Sequence, residues 1–89
     1  PKAVMITHEQ MFWASLTMTA SLDFRLGDVH LLPVPMFHVG GLSFICHSIH
    51  LGITLVVPMR WNAERVAQLI EEEKVDHFFA VPTMLLDLL

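Results

Sequence analysis

Gly52-Ile53-Thr54-Leu55-Val56-Val57 decides the fold. The five residues after the glycine are apolar or β-branched without alternation, the pattern of a parallel strand covered on both faces. Before it, residues 42–51 read as a helix that Gly52 ends. After it, Asn62 is a good N-cap with Glu64 favourable in the first turn. Ala63, Val66, Ala67 and Ile70 then form one apolar stripe at helical spacing, and Glu71-Glu72-Glu73-Lys74 finishes that helix in solvent. Asp76-His77-Phe78-Phe79-Ala80-Val81 is the next strand, and Pro82 suits the start of a last helix. Upstream, His30-Leu31-Leu32-Pro33-Val34-Pro35 is extended, because each proline biases its predecessor towards β or polyproline geometry. Thr7-His8-Glu9-Gln10 reads as a capping box opening a helix that runs to about residue 22. Met11, Phe12, Trp13, Leu16, Met18 and Leu22 spread round its circumference, so it expects protein on more than one side. Strands alternating with helices at this spacing imply right-handed βαβ units. The class is α/β, with a parallel sheet covered by helices.

The composition agrees and narrows the function. Eighty-nine residues make a single domain, 1–89, and 54% hydrophobic with 16% charged residues excludes a disordered tail. The formal charge of -4 and the lack of a basic patch disfavour nucleic-acid binding. Cys46 is alone, so there is no internal disulfide and no Cys-rich zinc site. Six Met and six Phe supply bulky, adaptable filling for a core or an acyl-type pocket. No signal-peptide pattern stands at the start, and the expected compartment is the cytoplasm. The chain opens on Pro1-Lys2 and closes within an apolar helix-like run, which reads as a segment of a longer protein. Residues 29–59 hold no Asp, Glu, Lys or Arg, as a membrane span would. His47, His50, Gly52 and the flanking prolines speak against that, and a buried interior explains the run better.

Two places could carry chemistry. His47 and His50 lie three apart on a helix, Cys46 and His50 four apart, and His38 could approach from its loop. Helical pairs of this kind bind zinc, yet His-Glu-x-x-His is absent and no carboxylate is near in sequence, so no metal is expected. The plainer alternative is that His47 and His50 are partly buried and satisfied by backbone. The second place is Met36-Phe37-His38-Val39-Gly40-Gly41, a tight loop between a strand and a helix. Ligands of α/β folds bind beyond the carboxyl ends of strands. Gly40 and Gly41 would let backbone amides approach a carboxylate or phosphate at a helix N-terminus. The His38 imidazole could donate to an anion or shuttle a proton. The spacing alone equally allows glycines that only permit a turn and a His38 that packs.

Three ordered landmarks then resemble one superfamily over essentially the whole chain. Pro1-Lys2-Ala3-Val4-Met5-Ile6-Thr7-His8 resembles the tail of the phosphate-binding signature of adenylate-forming enzymes, with Ala3 where Gly is usual. Pro35-Met36-Phe37-His38-Val39-Gly40-Gly41 resembles their next motif in its acyl-CoA synthetase form, and Phe79-Ala80-Val81-Pro82-Thr83 resembles a third. The resemblance implies one βα subdomain of the large N-terminal domain of an AMP-forming carboxylic acid–CoA ligase. Such enzymes use ATP and Mg2+ to form an acyl-adenylate, then pass the acyl group to coenzyme A. It further implies Lys2 at the ATP phosphates and His38 beside the carboxylate or acyl end as catalytic and substrate-binding residue. Val39, Gly40 and Gly41 would shape the adjoining wall, with Phe79 and Val81 near the acyl pocket. Bile-acid, aryl, fatty-acyl and luciferase-like members share these landmarks, which leaves the acid open. The rest of the polypeptide would be needed for activity. The alternative from another class is a stand-alone flavodoxin-like binding or interaction module.

Overall fold

A computed structural model describes residues 2–89. Pro1, the first residue of the first landmark, lies outside them. Helix α1, His8–Leu22, opens with the expected capping box: the Gln10 amide donates to Thr7 Oγ1 (3.1 Å) and the Thr7 amide donates to Gln10 Oε1 (2.8 Å). Strand β1, Val29–Leu31, follows, then α2, Val39–Leu51, and β2, Thr54–Val56. Helix α3, Ala63–Glu72, is capped by Asn62, whose side chain accepts from the Arg65 amide at 2.9 Å. Strand β3, His77–Phe78, and helix α4, Pro82–Leu88, with proline in its first turn, complete the order. Among the described residues no helix is long and apolar enough to cross a membrane.

All strand pairs are parallel and the order is β2-β1-β3. The first strand in the chain is therefore the central one. Successive side chains on an extended chain point to opposite faces, so β1 and the residues just after it feed two cores. Leu32 and Val34 pack with Phe24 and Phe44 under α1 and α2, while Leu31 packs with Val66 and Leu69 of α3. At the amino ends of the strands, the Val29 amide donates to Asp76 Oδ2 at 2.8 Å and His77 Nε2 lies 2.9 Å from Asp28 Oδ2. These two contacts tie β1 to β3 on that edge.

The structure corrects several expected boundaries and exposures, the strand read over 76–81 among them, which pairs only at His77–Phe78. Helix α2 starts at Val39 rather than residue 42, so Gly40 and Gly41 belong to its first turn and not to a loop. Regular pairing of the first strand stops at Leu31, ahead of the two prolines that cannot donate to a ladder. Strand β2 is half-covered, with Thr54 exposed, because it is an edge strand of this sheet. Phe12, Trp13, Leu16 and Leu22 of α1 are exposed, and Ser15 is the buried residue of that helix.

Candidate functional site

The winding of the sheet places the site. From β1 the chain passes through α2 to β2 on one side, then through α3 to β3 on the other, with α2 and α3 on opposite faces. The reversal lies between β1 and β3, and a crevice opens there beyond the strands' carboxyl ends. A cleft of about 580 Å³ occupies this position. Val34 and Pro35 reach it from the end of β1, Phe79 and Val81 from the end of β3, and His38, Val39 and Gly40 from the start of α2.

Each wall follows from local sequence. The His38 amide donates to the Pro35 carbonyl (3.3 Å), turning the chain into α2. His38 is then the N-cap, in extended geometry, and its imidazole makes no capping hydrogen bond. It is exposed at the cleft, with the first amides of α2 unpaired beside it. Gly41 is buried, and a Cβ there would run into the Pro35 carbonyl and lie 2.7 Å from Met36 Cα. Its small size is thus needed for the backbone crossing and not for the cleft. Gly40 is different: a Cβ there would meet Phe79 Cε1 at 3.4 Å and Val34 Cγ2 at 4.0 Å, both in the cleft wall. Among the described residues no Asp, Glu, Lys or Arg lines the cleft, and His38 is the one ionisable side chain there.

Five of the residues singled out in the sequence therefore meet: His38, Val39, Gly40, Phe79 and Val81. Lys2 stays on the exposed segment before α1, outside the cleft lining, and Gly41 sits beneath it. Sequence reading missed Val34, Pro35, Ser43, Phe44 and Met84 as lining residues. Ser43 stands three residues after Gly40 on the same helix, which is the signal that could have found it.

The other histidines have structural surroundings. His47 and Ser15 are both buried, and Ser15 Oγ lies 2.5 Å from His47 Nδ1. Burial, then the neighbouring His50, pushes the His47 pKa down. His47 is thus satisfied by a side chain of α1 rather than by backbone, and His50 is exposed. Among the described residues no three His, Cys, Asp or Glu side chains converge as metal ligands. His30 is buried behind the cleft with its ring stacked on Phe44, 4.2 Å between centroids and 10° between planes. Neither of its ring nitrogens has a hydrogen-bond partner. Desolvation, then the nearby His77, lowers its pKa to about 4.

Comparison with known proteins identifies the family and the fold. The long-chain-fatty-acid–CoA ligase FadD13 of Mycobacterium tuberculosis is 40% identical over 85 residues, which is 96% of this chain and 17% of that protein. The 2-succinylbenzoate–CoA ligase of Listeria innocua is 34% identical over 96% of this chain and 18% of its own length. The chain therefore spans under a fifth of these curated relatives. Among solved structures, O-succinylbenzoate coenzyme A synthetase (MenE) from Bacillus subtilis, in complex with ATP and magnesium ion, superposes with a TM-score of 0.93 at 31% identity. That match covers 99% of this chain and 24% of the other. The N-terminal domain of FACL13 from Mycobacterium tuberculosis gives a TM-score of 0.89 at 40% identity, over 96% of this chain and 22% of the other. The family model for AMP-binding enzymes matches residues 1–89, and the chain belongs to that family.

Proposed function

We propose that this chain is one βα subdomain of the large N-terminal domain of an ATP-dependent carboxylic acid–CoA ligase. The observation that carries the reading is the convergence of His38, Val39, Gly40, Phe79 and Val81 on one cleft at the sheet's switch point. The strand order by itself is equally that of a flavodoxin-like module. The family match along the whole chain favours the ligase.

A carboxylate is a poor electrophile, and the reaction makes it a good one. A carboxylate oxygen attacks the α-phosphorus of ATP and pyrophosphate leaves. The coenzyme A thiol then loses its proton and attacks the acyl carbonyl, and AMP leaves with the electron pair. In this chain the apolar cleft would hold the body of the acid away from water, while His38 donates a hydrogen bond to its carboxylate or adenylate end. The free amides at the start of α2 favour a negative charge at the same place. Lys2 would meet the ATP phosphates. Bound Mg2+ would offset phosphate charge, and this chain's described residues offer it no cage of their own. The compartment that fits this chemistry and an unpaired Cys46 is the cytoplasm.

Acid-dependent ATP–pyrophosphate exchange by the complete enzyme tests the reading. Exchange with at least one carboxylic acid, followed by consumption of the coenzyme A thiol, is expected. The 89-residue chain alone should show none. Absence of exchange across short, long and aromatic acids would remove the proposed activity.

A further inference from the structure

Helix α4 follows β3 and touches both cores. Met84 packs against the cluster of Phe24, Val34 and Phe44 and lines the cleft. Leu88 packs against the opposite cluster, around Val66 and Leu69 of α3. Met84, Asp87 and Leu88 are spaced three and four apart, so they share one face of the helix. On that face the Trp61 indole donates from Nε1 to Asp87 Oδ2 at 2.9 Å, across 26 residues of sequence. Trp61 comes from the connection that leads into α3, and its ring packs in the α3 core. Among the described residues this is the one side-chain hydrogen bond that α4 makes. The helix start adds none, since Val81 caps α4 without a side-chain bond and Pro82 has no amide to donate. No residue of α4 is buried, so Met84, Leu88 and the bond to Asp87 fix where the helix lies.

We propose that Trp61 is a positioning residue, whose bond to Asp87 holds α4 so that Met84 already stands in the cleft wall before the acid arrives. The inference rests on the acid–CoA ligase reading and adds to it a residue of the sheet's far face that touches neither the acid nor the phosphates. Without the bond, binding the acid must also order α4, and affinity falls by the cost of that ordering. The chemical step is unaffected once the acid is seated, because neither Trp61 nor Asp87 lines the cleft. A bond with a structural role alone would lower the melting temperature and leave the KM for the acid where it was.

The test uses the complete enzyme with octanoate, benzoate and acetate, and follows whichever of the three gives the highest kcat/KM. Trp61→Phe keeps a ring in the α3 core and removes the N–H. It should raise KM for that acid by roughly threefold to tenfold, with kcat and the KM for ATP unchanged within about twofold. Asp87→Leu should do the same, whereas Asp87→Asn, which keeps an accepting oxygen, should retain most of the affinity. In a Met84→Ala background Trp61→Phe should change KM by less than about twofold, since the side chain it positions is gone. Fluorine-labelled tryptophan reads the bond without turnover: the resonance lost in Trp61→Phe identifies Trp61, and it should move in Asp87→Leu. If Trp61→Phe does not fold, Asp87→Leu and Asp87→Asn, at an exposed position, carry the same comparison. An unmoved resonance overturns the proposal. So does an unchanged KM in the folded variants, an equal rise in the KM for ATP, or a full effect in the Met84→Ala background. In each of those cases acid-dependent turnover continues and the ligase reading stands. An enzyme that activates none of the three acids removes both.

Discussion

Ser15 Oγ and His47 Nδ1 lie 2.5 Å apart, joining α1 to α2 across 32 residues of sequence, and each residue is 2% exposed. A buried imidazole nitrogen left without its partner carries the full cost of desolvation. Ser15→Ala should therefore lower unfolding free energy by about 1–3 kcal/mol, read from chemical denaturation. His47→Leu, which removes the polar atom as well, should cost less when combined with Ser15→Ala than the two single changes summed. Simple additivity would show that the pair is not coupled.

His30 predicts how the fold responds to acid. Its folded pKa is about 4 against an ordinary 6.5, so the unfolded chain takes up a proton at higher pH than the folded one. Stability is then full above pH 6.5 and falls as pH drops from 6.5 to about 4, by on the order of 3 kcal/mol in all. Asp28 acts in a lower window. Its pKa is held down by the Arg25 amide and then by His77, so its contribution is lost only below the usual carboxylate range. Denaturation midpoints from pH 7.5 to 4.5 should fall, and His30→Leu should flatten that slope. An equal slope in the variant would assign the acid response elsewhere.

His38 is exposed, caps nothing with its side chain and faces the cleft. A hydrogen bond to a charged group is worth about 1.5–3 kcal/mol, roughly ten- to hundredfold in rate if made in the transition state. In the complete enzyme His38→Ala should cost that much in acid-dependent turnover and leave the melting temperature within error. A lowered melting temperature with normal turnover would identify it as a packing residue.

Adjacent glycines should answer differently to the same change. Gly41→Ala drives a methyl group into the Pro35 backbone, which cannot give way without moving the start of α2. A destabilisation of about 1–3 kcal/mol follows, visible as a lower melting temperature. Gly40→Ala makes only ordinary contact with the edge of the Phe79 ring and should be nearly silent in the same melt. Equal loss at both positions would contradict the packing described.

The 89-residue chain by itself should bind a hydrophobic dye strongly and associate in gel filtration. Val4, Met5, Trp13, Phe37 and Met59 are each more than half exposed, and exposed apolar surface of that extent drives association. A clean monomer with a sharp cooperative melt would show that the chain is self-sufficient.

Much of this architecture was legible because local chemistry decides it. Thr7 with Gln10, Asn62 and Pro82 each mark a helix start through a backbone amide that needs a partner or has none to lose. The β-branched run ending at Val57 named a strand, but not its coverage, since β2 ends at the sheet edge with Thr54 exposed. What escaped the sequence depends on residues far apart in it. Helix α2 begins three residues early because Gly41 can lie against the Pro35 carbonyl, a contact that no local propensity encodes. Phe44 and Met84 join the cleft only once the winding has brought α2 and α4 to the same end of β1. Likewise the bond from Ser15 to His47 needs two helices already packed, so spacing within α2 alone could suggest a metal and nothing more.

Strand β1 is central, yet it is the first strand in the chain, and both its neighbours arrive later, at residues 54–56 and 77–78. A ribosome that has delivered α1, β1 and α2 has released most of one apolar core with no sheet to hold it. Neither edge of β1 can close until its partners emerge, and parallel pairings of such sequence separation form slowly. Synthesis thus leaves a window in which Leu31, Leu32 and Phe44, buried in the finished fold, are open to neighbouring nascent chains. The same strand order that creates the cleft delays the cover of its own core.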